Sequence, residues 1–374
     1  MPREKAMNVA EFERALGESG LDVLVAASPW NVFYTSGALI ATQTYIRDRL
    51  ALTVMPKKGD DALLVCDIEA SLAKHESWIE DVRSYVEGAQ SPVSLLADVL
   101  EEKRLAEGRV GIEKRYLTSE YHEELVEALP KATIEACDSL LDEVRSIKTE
   151  GEIERFQQAA LATERALVEA FREARAGQTE KELQQSILIN LFRLGSSRIR
   201  FVVFAVGDQG VHVHPQARER ELRPGDLVRV DTGGVFNGYG SDVARMAVVG
   251  EPTDLQRDLY RKHWEVQRKA IGYMRPGVRA CDVFEYCARV YSDFGLDFRL
   301  PHVGHCFGLR GHETPILQPY DTQELRANML ICIEPVYLDK NVGSFQIEDL
   351  VLIKEGGAEL LTTYADTEEL FVID

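Results

Sequence analysis

The sequence predicts an α/β first domain followed by an α+β second domain, over residues 1–143 and 144–374. Three observations carry this. The chain has 374 residues, about twice the length of an ordinary domain. In the first 143 residues, short apolar runs alternate with amphipathic helical patterns. In the remainder, capped helices and long β-rich runs are segregated rather than alternating.

Taken in order, Asn8 with Glu11 forms a capping pair that opens a first helix. Leu21 to Ala27, LDVLVAA, reads as a buried strand. A loop is expected to carry Pro29, Trp30 and Asn31 into the next apolar stretch. ALTVMP and DALLVCD read as strands around the Lys57-Lys58-Gly59 turn, and helical patterns follow near 92–105 and 118–129. Thr149 with Glu152 opens a helix expected to run to Ala176, with Gly177 as its stop. Thr179 with Glu182 opens another that ends at Gly195, and Thr253 with Gln256 opens a third, closed by Arg275-Pro276-Gly277. A fourth fits from Cys281 to Asp293. RFVVFAVG, DLVRVDTGG, YGSDVARMAVVG, MLICIEPVYL and FQIEDLVLI are β-rich.

Composition narrows the function classes. Hydrophobic content of 45% supplies two cores. The 62 acidic against 43 basic residues leave a net charge of -19, which repels nucleic acid and anionic membranes. No partner of either kind is expected. Cys66, Cys137, Cys281, Cys287, Cys306 and Cys332 contain no C-x-x-C pair and suit free thiols in a reducing cytosol. The N-terminal stretch lacks the apolar core of a signal peptide, and no run is long enough to span a membrane, so a cytoplasmic location is expected.

Five residues stand out chemically. Asp231 and Asp242 lie on two runs joined through Gly233, Gly234, Asn237 and Gly238. A hairpin there would bring both carboxylates to one face; alone, they read equally as hairpin-end aspartates in water. His305 sits among glycines in GHCFGLRGHE. Glu334 and Glu348 each place an acid inside a run that reads as a buried strand, where an unpaired carboxylate needs a cation or a shifted pKa. Together they supply four negative charges, enough to balance two divalent ions, with one imidazole among many oxygens. That donor set suits Mn²⁺, Co²⁺ or Fe²⁺, with Zn²⁺ also accommodated.

The segments GDLVRVDTGG, YGSDVAR, GHCFGLRGHETP, IEPVY and FQIEDLVLI resemble, in order and spacing, those of the pita-bread metallopeptidase family. That family includes methionine aminopeptidase, prolidase, aminopeptidase P and creatinase. SPWNVFYTSG and VRSIKTEGEIERFQQAA extend the resemblance to nearly the whole chain, in the two-domain form of prolidase, aminopeptidase P and creatinase. The resemblance implies a pita-bread second domain and two divalent metal ions, manganese first among them. Asp231 would chelate one ion, Asp242 and Glu348 would bridge both, and His305 and Glu334 would complete the ligand set. Glu334 would also serve as general base. His214, in HVHP, would contact the scissile amide, and His312 the substrate carbonyl. Tyr239 and Arg245 flank Asp242 and would position it, although Arg245 reads equally as a strand-surface residue. His212 has no matching role. A short peptide cleaved before proline and a homodimer are likewise implied.

Two departures bear on substrate rather than metal. Cys306 replaces a small glycine of the family's motif and reads as a side chain packed behind the strand. Val336 replaces a glycine, so the loop after Glu334 is expected to differ. Both metal aspartates missing from creatinase are present. Two rival readings stay open: a small-molecule C–N hydrolase or lyase on the same scaffold, and a non-catalytic binding protein with a vestigial site.

Overall fold

Ser28 followed by Pro29 starts a helix, not the loop expected there. The Ser28 side chain accepts from Asn31 N, and Pro29 occupies the first turn, where its missing N–H costs nothing. The computed structural model describes Lys5 and residues 7–374. They divide into a first unit ending at Thr149 and a second unit from Glu150 to Asp374.

The first unit is an α/β sandwich. Its helices are α1 (Val9–Ser19), α2 (Pro29–Ser36), α3 (Ala70–Glu76), α4 (Pro92–Glu102), α5 (Ser119–Ala128) and α6 (Asp138–Ser146). Its strands are β1 (Val23–Ala26), β2 (Leu52–Pro56), β3 (Ala62–Cys66), β4 (Asp81–Tyr85), β5 (Arg109–Ile112) and β6 (Thr133–Ala136). They form one mixed sheet in the order β4-β3-β2-β1-β5-β6. Antiparallel pairing joins β1, β2 and β3, and the outer pairs are parallel. Asn8 caps α1 as its spacing predicted, its side chain accepting from Glu11 N. Val23, Val25, Leu52, Leu64, Leu96 and Leu100 pack one face into a core.

The second unit is α+β. Four helices, α7 (Glu150–Glu173), α8 (Glu180–Arg193), α9 (Asp254–Tyr273) and α10 (Ala280–Asp293), are accompanied by sheets that are antiparallel except where the last strand joins the edge of the first sheet in parallel. Thr179–Glu182 and Thr253–Gln256 form full capping boxes. The first sheet orders β18 (Phe371–Ile373), β10 (Val243–Val249), β8 (Leu227–Phe236) and β7 (Arg198–Val206), with β9 (Tyr239–Gly240) paired to β8. Asn237 and Gly238 make the two-residue turn between β8 and β9, with φ of 50° and 88°. The second sheet orders β12 (Gly311–Ile316), β11 (Gly304–Gly308), β13 (Leu330–Ile333), β16 (Asp349–Lys354) and β17 (Gly357–Leu360). A separate hairpin pairs β14 (Val336–Asp339) with β15 (Gly343–Gln346). Phe156 of α7 meets Tyr239 and Phe307 edge-on, seating that helix beneath both sheets. No described helix is long and apolar enough to cross a membrane.

Candidate metal centre

Two runs that read as continuous strands are in fact broken, and the breaks hold the acids. MLICIEPVYL divides into β13 and β14 around Glu334 and Pro335, where proline has no N–H to continue a ladder. FQIEDLVLI divides into β15 and β16 around Ile347 and Glu348. Glu334 and Glu348 therefore lie in strand breaks rather than inside strands. Glu348 makes a single antiparallel bridge to Ala244 of β10, its N–H donating to the Ala244 carbonyl at 3.2 Å. Ala244 in turn pairs with Asp231 of β8. Asp242 lies just before β10, so the two sheets bring Asp231, Asp242 and Glu348 together.

Ligand atoms of Asp242, His305, Cys332 and Glu348 lie within 4.8 Å of one another. So do those of His305, His312 and Glu334, and those of Asp231, Glu334 and Glu348. All five predicted ligands and His312 thus share one interlocking cluster. It opens into a cavity of about 640 Å³ lined also by His214, His302, Arg200, Arg229, Arg310 and Val336. Val336 opens β14 without a positive φ, so the chain after Glu334 has no need of glycine there.

The electrostatics are those of a site built for cations. Among the described residues, no N–H or O–H donor reaches Asp231 Oδ1, Glu334 Oε1 or either Glu348 oxygen, and His305 Nε2 also lacks a partner. All of these atoms are buried, a costly arrangement for bare carboxylates. Burial and mutual repulsion push the Asp231 carboxyl up to about 6 and hold Asp242 and Glu348 well above the usual carboxylate range. Burial, only partly offset by nearby histidines, raises Glu334 as well. His305 Nδ1 lies 3.0 Å from the Cys306 carbonyl. Donation there leaves the Nε2 lone pair facing the acids. The donor set fits divalent ions: oxygen-rich, with one imidazole aimed inward and orphaned anionic atoms.

Several contributors went unseen in the sequence. Cys332, paired with His305 across β13 and β11, brings its thiol into the cluster, whereas Cys306 is buried outside it. Gln346 donates through Nε2 to Asp231 Oδ2 at 2.9 Å and to Glu334 Oε2 at 3.3 Å. Arg229 Nη1 donates to Gln346 Oε1 at 2.9 Å, and Nη2 to the His212 and Val213 carbonyls at 3.0 and 2.7 Å. The available signal was alternation: Arg229, Cys332 and Gln346 each stand two residues before Asp231, Glu334 and Glu348. Arg245 is no strand-surface residue. It is 1% exposed, and it binds Glu164 at 2.6 Å, Asp349 at 2.7 Å and the Glu348 carbonyl at 2.7 Å. It therefore steadies the backbone of Glu348. Tyr239 is buried against Phe156. His212 contributes its carbonyl to Arg229, and His214 stands exposed at the cavity edge.

Comparison with known proteins agrees with this geometry. The model of metallopeptidase family M24 matches residues 154–355, and that of the creatinase/prolidase N-terminal domain matches residues 9–147. An Xaa-Pro dipeptidase of Pyrococcus furiosus is 30% identical over 364 residues, covering 96% of this chain and 98% of the relative. The structure is similar to the prolidase of Pyrococcus horikoshii OT3, with a TM-score of 0.83, 27% identity and coverage of 96% and 98% of the two chains. It is also similar to dipeptidase PepE of Mycobacterium ulcerans, with a TM-score of 0.85, 27% identity and full coverage of both. The second unit has the pita-bread fold. A family model spanning more than half of the sequence, and a relative aligned almost end to end, establish that the chain belongs to metallopeptidase family M24.

Proposed function

We propose that this metallopeptidase hydrolyses the peptide bond preceding proline in dipeptides or short peptides. The observation that carries the reading is the set of buried, donor-less carboxylate oxygens at the floor of one cavity. Asp231, Asp242, His305, Glu334 and Glu348 would hold two divalent ions, with manganese the first choice. Bound there, such ions supply Lewis acidity and bring the pKa of water toward neutrality.

The chain's own residues do the rest. Glu334 Oε1 lies 3.4 Å from His305 Nε2 and 3.7 Å from His302 Nδ1, and it takes up the proton that the attacking water loses. His312 is exposed to the cavity and stacks on His305 with ring centroids 3.6 Å apart, and partial desolvation beside that ring pushes it down to about 4. It is therefore a neutral donor at working pH, placed to bond the developing oxyanion. His214, at the cavity edge, meets the departing nitrogen. Gln346 orients Asp231 and Glu334 through its two donated bonds. The names of the similar Xaa-Pro dipeptidase and prolidase support proline after the scissile bond. Pairing into a homodimer and a cytoplasmic location belong to the same reading, the latter supported by six buried free thiols.

The test is proline release from Xaa-Pro dipeptides and Xaa-Pro-Yaa tripeptides by chelator-stripped protein reloaded with Mn²⁺. Metal-dependent release is expected, and Glu334→Ala and Asp231→Ala should abolish it with the fold retained. No release from folded, metal-loaded protein would retire the peptidase reading in favour of a small-molecule hydrolase or lyase. Poor metal retention with no turnover would leave a vestigial site.

A further inference from the structure

The strand breaks that carry Glu334 and Glu348 face each other. Ile333 pairs with Asp349 on one side of them, and Val336 pairs with Gln346 on the other. Between these pairs the ladder opens, and Pro335 has no N–H with which to close it. Gln267 of α9 reaches into the opening. Its Nε2 donates to the Ile333 carbonyl at 3.2 Å and to the Ile347 carbonyl at 2.9 Å. Each carbonyl belongs to the planar peptide group whose N–H is that of the acid that follows. The Glu334 N–H donates to the Val303 carbonyl at 2.9 Å, and the Glu348 N–H to the Ala244 carbonyl at 3.2 Å. Both peptide groups are therefore held at both ends, and one amide nitrogen holds an end of each.

A glutamine in this place is costly. It is fully buried, and among the described residues its Oε1 meets no donor. Leu259, Val266 and Ala270, buried on the same helix, show that apolar side chains suit this interface. What the amide adds is a neutral nitrogen with two hydrogens, one for each carbonyl. Lysine would bring a charge, and an ionised glutamate would bring no donor. Ligand atoms of Glu334 and Glu348 lie within 4.8 Å of each other, so a small opening of the ladder would part the acids that two closely spaced ions must share.

We propose that Gln267 is a positioning residue of the metal centre: it bridges the opened ladder, fixes the distance between Glu334 and Glu348, and so sets the pairing of two divalent ions. The proposal rests on the two-ion reading above. Its test is Mn²⁺ titration by calorimetry, with electron paramagnetic resonance of the loaded chain, for wild type, Gln267→Met, Gln267→Asn and Tyr291→Phe. Gln267→Met keeps the length of the side chain and removes both donors. Gln267→Asn keeps the amide on a shorter stem that cannot serve both carbonyls. Tyr291→Phe is the control for loosened packing, because the Tyr291 hydroxyl lies 2.7 Å from Nδ1 of His263, one turn before Gln267 on α9.

Wild type should bind two Mn²⁺ and show the hyperfine pattern of an exchange-coupled pair. Gln267→Met should weaken the second ion about ten- to hundredfold, the range for residues that orient metal ligands, and show isolated Mn²⁺ in place of the pair. Gln267→Asn should shift both readouts the same way by less, and it carries the test if Gln267→Met does not fold. Tyr291→Phe should lower the melting temperature of chelated protein by about 2–4 °C and leave Mn²⁺ affinity and coupling as in wild type. Wild-type affinity and coupling in either folded Gln267 variant would overturn the proposal, as would equal metal loss in Tyr291→Phe. A wild type that never forms the coupled pair would overturn it together with the two-ion reading. A coupled pair indifferent to position 267 would strike the positioning role alone. None of these readouts needs a substrate, so proline release judges the peptidase reading separately.

Discussion

Glu113 in the first unit and Glu348 in the second are both buried glutamates, 3% and 1% exposed, yet their surroundings are opposite. Glu113 Oε2 accepts from Ala27 N at 2.5 Å and Ser28 N at 2.8 Å, and Oε1 accepts from Ser28 Oγ at 2.7 Å and Asn31 Nδ2 at 2.6 Å. Glu348 has no N–H or O–H donor on either oxygen, only the weakly donating Cys332 thiol beside it. Burial of an acid is therefore no sign of function by itself. The missing donors are, because an acid completed by the backbone holds a fold together, whereas one left incomplete waits for a cation.

The sharpest way to break this contrast is to neutralise both acids. Glu348→Gln should cost roughly a thousandfold in metal-dependent turnover, read as kcat/KM, because it removes an anionic ligand from the cluster. The same substitution should raise the melting temperature of chelated protein, since it relieves repulsion from Asp242, Glu334 and Asp231. Glu113→Ala should do the reverse. Turnover chemistry is untouched, but four donors at the start of α2 lose their acceptor, and denaturant unfolding should report a loss of about 3 kcal/mol.

A pH series on chelated protein sharpens the comparison further. His305 and His312 are pushed down to about 4 from 6.5, so each adds stability as pH rises through that window. Asp231, raised from 3.8 to about 6, removes stability over nearly the same range, and the effects oppose. Above pH 6.5 the histidines are spent. Asp242 and Glu348, held well above the ordinary range, still keep protons that the unfolded chain has lost. Stability should therefore fall as pH rises from 6.5 to 8.5, by up to about 1.4 kcal/mol per pH unit for each such proton. Added Mn²⁺ should flatten the slope in thermal melts; an unchanged slope would argue against metal filling this cluster.

The smallest effect is expected at Arg229. Arg229→Met frees Gln346 and the His212–Val213 backbone, and should weaken Mn²⁺ binding by about tenfold, measured by calorimetry.

Much of this was legible in the sequence, for local reasons. The caps at Asn8, Thr179 and Thr253 are read within four residues, and the structure forms each of them. Glu334 and Glu348 stand out because acids interrupt apolar runs, Asp231 and Asp242 because glycines between them allow a hairpin, and His305 because glycines surround it. Pro29 was misread as a loop because the acceptor that steadies the start of α2, Glu113, lies 85 residues from Ser28. Cys332 and Gln346 went unseen for a related reason. Their own runs are apolar or ordinary, and only pairing with His305 and proximity to Asp231 reveal what they touch. Arg200 has no signal of its own in the sequence, because Gly240 and Gly311, which make room for it, are far away along the chain.

The bridge between Ala244 and Glu348 has a consequence for sequence drift. It is a main-chain N–H donating to a main-chain carbonyl. Ala244 is fully buried, so any side chain small enough for that position keeps the acceptor, and at 348 only proline would delete the donor. The spacing of the acids across the seam between the sheets is thus held by atoms that every residue shares. Descendants of this gene can rewrite the surrounding side chains extensively while the frame that sets the distance between those acids is inherited unchanged.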